Sequence, residues 1–313
     1  MRMRLSREEG LTTGVLFAAT TIWGLVPVAT RYLLASFTPL QLVIVRFLIA
    51  AIFFLPLLVP LRKQRWSFKE VAWALFCGLV GVIGYYVLVA YGQQLISAGM
   101  AGLLLATQPI WILLISTGVT REKISWPVLS GLVIALSGIA LLLSQETLGA
   151  AWNVAMFMGA LLVLLAALMW SFYTVAVRSL SQRIGARAST ALTMLLGALP
   201  LSFFWDGRIW GILLHLSIAA WLALGLLSLG STVVAAVLWN YGVTRTTSAR
   251  AGLFLYLEPL VSVTGGAFFL HERISFVTLA SGALIIAGVM LAQVRRVLVR
   301  AEERDRQSAV QQQ

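Results

Sequence analysis

Of the 313 residues only 11% are charged, and the chain holds a single cysteine and two histidines. Each scarcity excludes something. The lone Cys77 rules out an intrachain disulfide. No group of His, Cys, Asp and Glu has metal-ligand spacing, and no metal or other cofactor is expected. No nucleophile–base pair stands out, which argues against an intramembrane enzyme. No Gly-x-x-x-x-Gly-Lys-Ser/Thr run is present, so this chain alone is not expected to be driven by ATP. Acidic residues number 11 against 23 Lys and Arg, a formal net charge of +12. The basic residues collect at the ends of apolar blocks, where orientation signals of membrane proteins belong. No nucleic-acid partner is expected from them.

What is plentiful is apolar side chain: 60% of residues, with a mean hydropathy of +0.94. Soluble domains are roughly 45–50% apolar and about 25% charged, so the partner of this surface is the lipid bilayer. Apolar blocks of about 20 residues, each able to span a bilayer core as a helix, recur from Leu11 to Val294. They predict an all-α integral membrane protein with transmembrane helices over 11–31, 38–60, 69–91, 98–118, 125–144, 153–178, 188–205, 216–241, 249–270 and 274–295. The opening "MRMRLSREEG" resembles the basic start of a signal peptide, but no small-residue cleavage site follows, and the first block reads as a retained span. Counting Lys and Arg on alternate sides gives nineteen against three, with Arg46 inside a span. By the positive-inside rule both termini are expected in the cytoplasm.

The chain also repeats itself. "YGQQLISAGMAGLLLATQPIWILLISTGVTREKIS" aligns without gaps to "YGVTRTTSARAGLFLYLEPLVSVTGGAFFLHERIS". Tyr91 and Tyr241, Pro109 and Pro259, and Glu122 and Glu272 are each 150 residues apart, and Gly138 and Gly288 extend the register. Trp23 precedes Arg31 by the same interval that separates Trp170 from Arg178. The expected organisation is therefore two five-helix repeats, 1–147 and 148–296, followed by a polar cytoplasmic tail, 297–313. Because five is odd, the second repeat enters the membrane inverted. Inverted repeats are common in secondary transporters, whose site lies near the midplane between the halves.

These residues resemble the drug/metabolite transporter superfamily, specifically proteins built from two EamA domains. The matching features are "TIWGLVPVATRYLL…TPLQLVIVRFLIA" and, in each half, "AGL", then Pro, then Glu followed by "IS". Val26 and Pro27 depart from the pattern, standing where relatives often carry a polar residue. The resemblance implies a ten-helix inverted-repeat carrier of a bacterial inner (plasma) membrane, often exporting amino acids or other small metabolites.

Within the ninth span, "LFLYLEPLVSV" places Glu258 beside Pro259. At ~1.5 Å per residue Glu258 lies about 13 Å into that span, near mid-bilayer. Insertion scales put an acid there at roughly +2.5 to +3.5 kcal/mol, so it should face a cavity or a partner. Two readings stand. Glu258, with its repeat counterpart Gln108, lines a central cavity and binds a substrate ammonium or a proton. Alternatively it makes a static pair with Arg46, about 12 Å into its own span. The pair also offers a coupling or gating role. Pro259 is expected to disrupt the helix by leaving the Leu255 carbonyl without its donor.

Deep aromatics add a second signal. Trp23 and Trp170 are repeat-related, and Trp111 shares the Gln108 helix face. Tyr173 and Tyr256 are further substrate-binding candidates, as are Tyr85, Tyr86 and Trp239. Their rings would take an aromatic or apolar substrate, or a cation on their faces. Glu122 and Glu272 emerge at opposite membrane faces and read as structural acids near helix starts at Ser125 and Ser275. The functional expectation is a secondary carrier working by alternating access. Its expected substrate is a small molecule, a neutral or aromatic amino acid, with an amphipathic metabolite or drug as the alternative and protons as the coupling ion. A channel would need a continuous polar pore, which the sparse polar residues do not supply. Oligomeric state is not encoded.

Overall fold

The computed structural model describes residues 2–63, 66–120, 126–144, 154–243, 245–246, 251 and 253–292. Among these the chain is helical, with no strand. In chain order the main helices are α1 (Gly10–Leu33), α2 (Pro39–Val59), α3 (Phe68–Gln93), α4 (Ala98–Val119) and α5 (Val128–Ser144). After them come α6 (Val154–Ala176), α7 (Ala186–Ser202), α8 (Ile218–Trp239), α9 (Leu257–Leu270) and α10 (Phe276–Ala292). Six of them, α1 to α4, α6 and α8, are long and apolar enough to cross a membrane; α5, α9 and α10 are apolar but shorter. The expected tail, 297–313, and the Glu122–Ser125 segment lie outside the described residues.

Helix starts follow from side chains that replace the missing backbone acceptors of the first turn. Thr38 and Gln41 form a reciprocal capping box before α2, with bonds of 3.3 and 3.0 Å. Ser67 and Glu70 do the same before α3, at 3.3 and 2.8 Å. Ser97 accepts from the Met100 N–H at 3.1 Å, Ser217 from Ala220 at 3.2 Å, and Ser275 from Thr278 at 3.0 Å. Such caps contribute about 1 kcal/mol each, and they fix where each apolar run enters the bundle.

Packing interlocks the two expected halves. The first helix, α1, lies against α8 and α9, while α6 lies against α3 and α4. Helix α2 packs on α7. Helices α5 and α10 meet where Gly131 faces Gly288 and Ala292. Lipid tails are as apolar as leucine, so close backbone approach rather than exclusion from water holds such helices together. Gly78 of α3 shows this most sharply. A Cβ there would collide with the Thr193 carbonyl oxygen and with the backbone of Gly197, both on α7. We expect Gly78→Val to force α3 from α7 and cost roughly 1–3 kcal/mol, read as a lower Tm of the purified protein. A variant as stable as the parent would contradict the close crossing.

Candidate functional site

Breaks in the helices define the site. Helix α1 is interrupted at Leu25, just before Pro27. Helix α4 is interrupted at Ala106 and Thr107, and its second stretch opens on Gln108-Pro109. Helix α9 opens at Leu257 after a turn, which puts Glu258 in its first turn. The ninth span is thus interrupted beside Pro259 as expected, at Leu255 and Tyr256, with helical residues 251 and 253–254 before the turn. The second stretch starts at Leu257, so the proline's missing N–H falls in a first turn, where it has no helical acceptor to lose. The Leu255 carbonyl is taken by the Glu258 N–H at 3.2 Å. A carboxylate in a first turn also sits at the positive end of the helix dipole.

Two further departures match by repeat. Residues 79–87 of α3 and 226–234 of α8 are π-helical, and raising each number in the first stretch by 147 gives the second. π-helical turns loosen the backbone ladder and recur at functional sites. The α3 stretch carries Tyr85 and Tyr86; the α8 stretch carries Ser231.

These segments bring a polar and aromatic cluster together. Arg46, only 5% exposed, donates from Nη2 to the Ser231 hydroxyl at 3.0 Å. Its guanidinium carbon lies 4.4 Å from the Tyr86 ring centre, within cation–π range. Ser231 also accepts the Trp23 indole N–H on its carbonyl at 2.9 Å. Trp23 in turn packs 5.5 Å from Trp239. Trp170 lies 4.8 Å from Tyr85, 6.1 Å from Tyr86 and 5.1 Å from Tyr173. Tyr85 is within electrostatic reach of Arg46 and Glu258 and lies close to Gln108, whose buried amide nitrogen has no hydrogen-bond partner among the described residues.

Glu258 is half-buried. Gly24 lets α1 approach here, since a Cβ on it would come within 2.8 Å of the Glu258 carbonyl oxygen. The static Arg46–Glu258 pair, one of the two readings above, is not formed: the described residues show no ion pair for either group. Arg46 reaches across to α8 instead. A small cleft between α1, α2, α3, α4 and α8 is lined by Thr30, Arg46, Tyr85, Tyr86, Gln93 and Leu227 beside apolar residues such as Val26, Leu42 and Leu105.

The remaining sequence candidates fall elsewhere. The Trp111 indole donates to Thr107 of its own helix at 3.1 Å. Tyr173 is buried against α7, its hydroxyl 3.1 Å from that of Thr193. Tyr256 packs with the α4, α5, α6 and α10 side chains of a separate apolar cluster. Sequence reasoning did not single out Thr30, Gln93 or Ser231. The apolar helices contain many Ser and Thr that merely bond back to their own carbonyls, as Thr20 and Ser228 do. Nothing in their spacing separates the two kinds.

Glu272 plays a different part from the one expected near Ser275. Its carboxylate accepts the N–H groups of Ala98 and Gly99 at 2.7 and 3.0 Å, and so caps α4 from the α9–α10 corner. The Ser262 hydroxyl adds a bond to the Ala98 carbonyl at 2.8 Å.

Apolar helices broken around a shared cleft that holds a few polar side chains are the architecture of a membrane transporter. Residues 12–144 and 157–293 each match the family model described as "EamA-like transporter family". The chain belongs to that family. It is 27% identical over 282 residues to an "Uncharacterized transporter" of Archaeoglobus fulgidus, covering 90% of this chain and 98% of that one. It is 29% identical over 285 residues to the "Uncharacterized inner membrane transporter YedA" of Escherichia coli K12, covering 89% of each. It is 29% identical over 244 residues to a "Probable terminal-alkyne amino-acid exporter" of Streptantibioticus cattleyicolor, covering 78% of this chain and 80% of that one. A solved crystal structure shares the fold with a TM-score of 0.59 at 23% identity, covering 91% of this chain and 98% of its own.

Removing the Glu272 carboxylate leaves two α4 N–H groups without their charged acceptor. We expect Glu272→Ala to cost roughly 1–3 kcal/mol, measured as a fall in Tm. An unchanged Tm would contradict the cap across the helices.

Proposed function

We propose that this transporter is a secondary carrier working by alternating access, in which two inverted five-helix halves rock about the cleft lined by Arg46, Tyr85 and Tyr86. The proposed substrate is a neutral or aromatic amino acid, moved outward across an inner membrane with both termini cytoplasmic. The observation that carries this reading is the placement of a half-buried carboxylate, a buried guanidinium and a ring cluster where helices α1, α4 and α9 break. Aromatic faces suit an apolar or aromatic side chain, and two opposite charges that do not pair with each other suit a zwitterion. The amino-acid exporter among the relatives points the same way. An amphipathic metabolite or drug is the second reading, favoured by the apolar part of the lining, such as Val26, Leu42 and Leu105. In this reading Glu258 serves as the ammonium or proton site, Gln108 and Trp170 contribute from beside Tyr85, and Trp23 holds α1 to α8.

Counterflow into proteoliposomes preloaded with a pool of amino acids tests this directly. Selective, saturable exchange of a few neutral or aromatic members is expected, and Glu258→Gln is expected to slow it at least about tenfold and to flatten its pH dependence. Exchange absent from folded protein would overturn the amino-acid reading. Unchanged exchange and pH response in Glu258→Gln would remove Glu258 from the mechanism.

A further inference from the structure

Arg46 is a cation that the protein leaves incompletely satisfied. A guanidinium has five N–H donors and remains charged at any physiological pH. Here Nη2 reaches Ser231, the Tyr86 face lies beneath the charge, and Nε has no hydrogen-bond partner among the described residues. No Asp or Glu among them pairs with it. Withdrawing a cation from water without an anion is costly, and buried charges are normally paired. The orphaned donor is itself buried, on a residue that lines the cleft.

A second orphan lines the same cleft. Gln93 is fully buried, and its Nε2 donates to the Pro27 carbonyl at 2.9 Å. That carbonyl can only accept, so the amide orientation is fixed, and Oε1 is left without a partner. The cleft thus presents one unused donor on a positive group and one unused acceptor on a neutral group, amid apolar and aromatic walls. Both needs are met by a ligand that carries an anionic acceptor, a separate N–H donor and an apolar side chain.

We infer that Arg46 is the carboxylate-binding residue of this cleft, taking a ligand monocarboxylate on Nε with Gln93 Oε1 accepting a ligand N–H. This deepens the carrier reading by naming the recognised group. It rests on that reading for the ligand's being transported, not for the anion site itself. Arg46 and Glu258, which do not pair with each other, are then free to answer the two charges of one zwitterion. A planar fork suits a carboxylate better than a lysine point charge does, and the Ser231 bond fixes its Nη2 end.

The test measures binding without requiring transport. The purified full chain in nanodiscs is heated with 3-phenylpropionate, with phenethylamine, with inorganic phosphate, and with sodium chloride at matched ionic strength. A ligand that binds only the folded state raises Tm. The expected result is a rise with 3-phenylpropionate that Arg46→Gln abolishes and Arg46→Lys weakens at least about tenfold in apparent affinity. No carboxylate response in the parent protein, or an equal response in Arg46→Gln, would overturn the inference. So would an Arg46-dependent rise with phosphate or chloride as large as that with the carboxylate, since the site would then take anions in general. If Arg46→Gln does not fold, two results decide. The parent must respond to L-phenylalanine more strongly than to L-phenylalanine amide, and Arg46→Lys must narrow the difference; equal responses would contradict the assignment. A carboxylate response that depends on Arg46, alongside failed amino-acid counterflow, would leave this site standing and remove only the amino-acid reading.

Discussion

Everything in this molecule follows from one constraint. Inside a bilayer an unpaired backbone N–H or C=O costs several kcal/mol, so lipid-facing chain must be continuous helix and irregular backbone survives only where protein or a wet cavity covers it. The breaks at Leu25, at Ala106–Thr107 and before Leu257 obey that rule, as do the two π-helical stretches. Because they gather in one region, the places where the ladder loosens are also the places where polar side chains have company. The site is thus a product of backbone accounting as much as of side-chain choice.

The same constraint explains why the polar residues are so few and so closely used. Ser231 accepts the Trp23 indole on its carbonyl and the Arg46 guanidinium on its hydroxyl. One residue of α8 therefore ties down α1 and α2 together. Glu272 ties α4 to the α9–α10 corner in a similar way. Both links run between the two expected halves, and small residues such as Gly24, Gly78 and Gly131 bring the backbones near enough for them to form. Hydrogen bonds of this kind can be exchanged at little net cost if the helices move together. The Arg46 and Glu258 charges, unpaired with one another, can answer a ligand.

Much of this was legible in the chain. Long apolar runs and the Ser or Thr before them gave the helices, because hydropathy and capping are local. The 150-residue spacing of Pro109 and Pro259 revealed the repeat, and a charged residue deep in an apolar run marked Arg46 and Glu258. The interruption beside Pro259 was legible too, but not the fate of the Leu255 carbonyl: the chain turns at Leu255 and Tyr256 ahead of the proline, and the Glu258 N–H takes the carbonyl that a continuous helix would have left without a donor. The pairing of Arg46 with Ser231 was not legible, since one hydroxyl in an apolar helix looks like any other. Nor could the chain separate the aromatics around Tyr85 from Trp111 and Tyr173, whose polar tips are satisfied by neighbouring helix residues.

The central claim is that the cleft beside Arg46 opens alternately to the two sides of the membrane. The sole cysteine, Cys77, is fully buried and offers little competing reactivity. A new cysteine placed at Val26 or at Leu105, both on the cleft wall, can be exposed to a membrane-impermeant thiol reagent from either side in turn. The account predicts modification from both sides, with an exchanged amino acid shifting the balance between them. Modification confined to one side at both positions, with and without that amino acid, would contradict it.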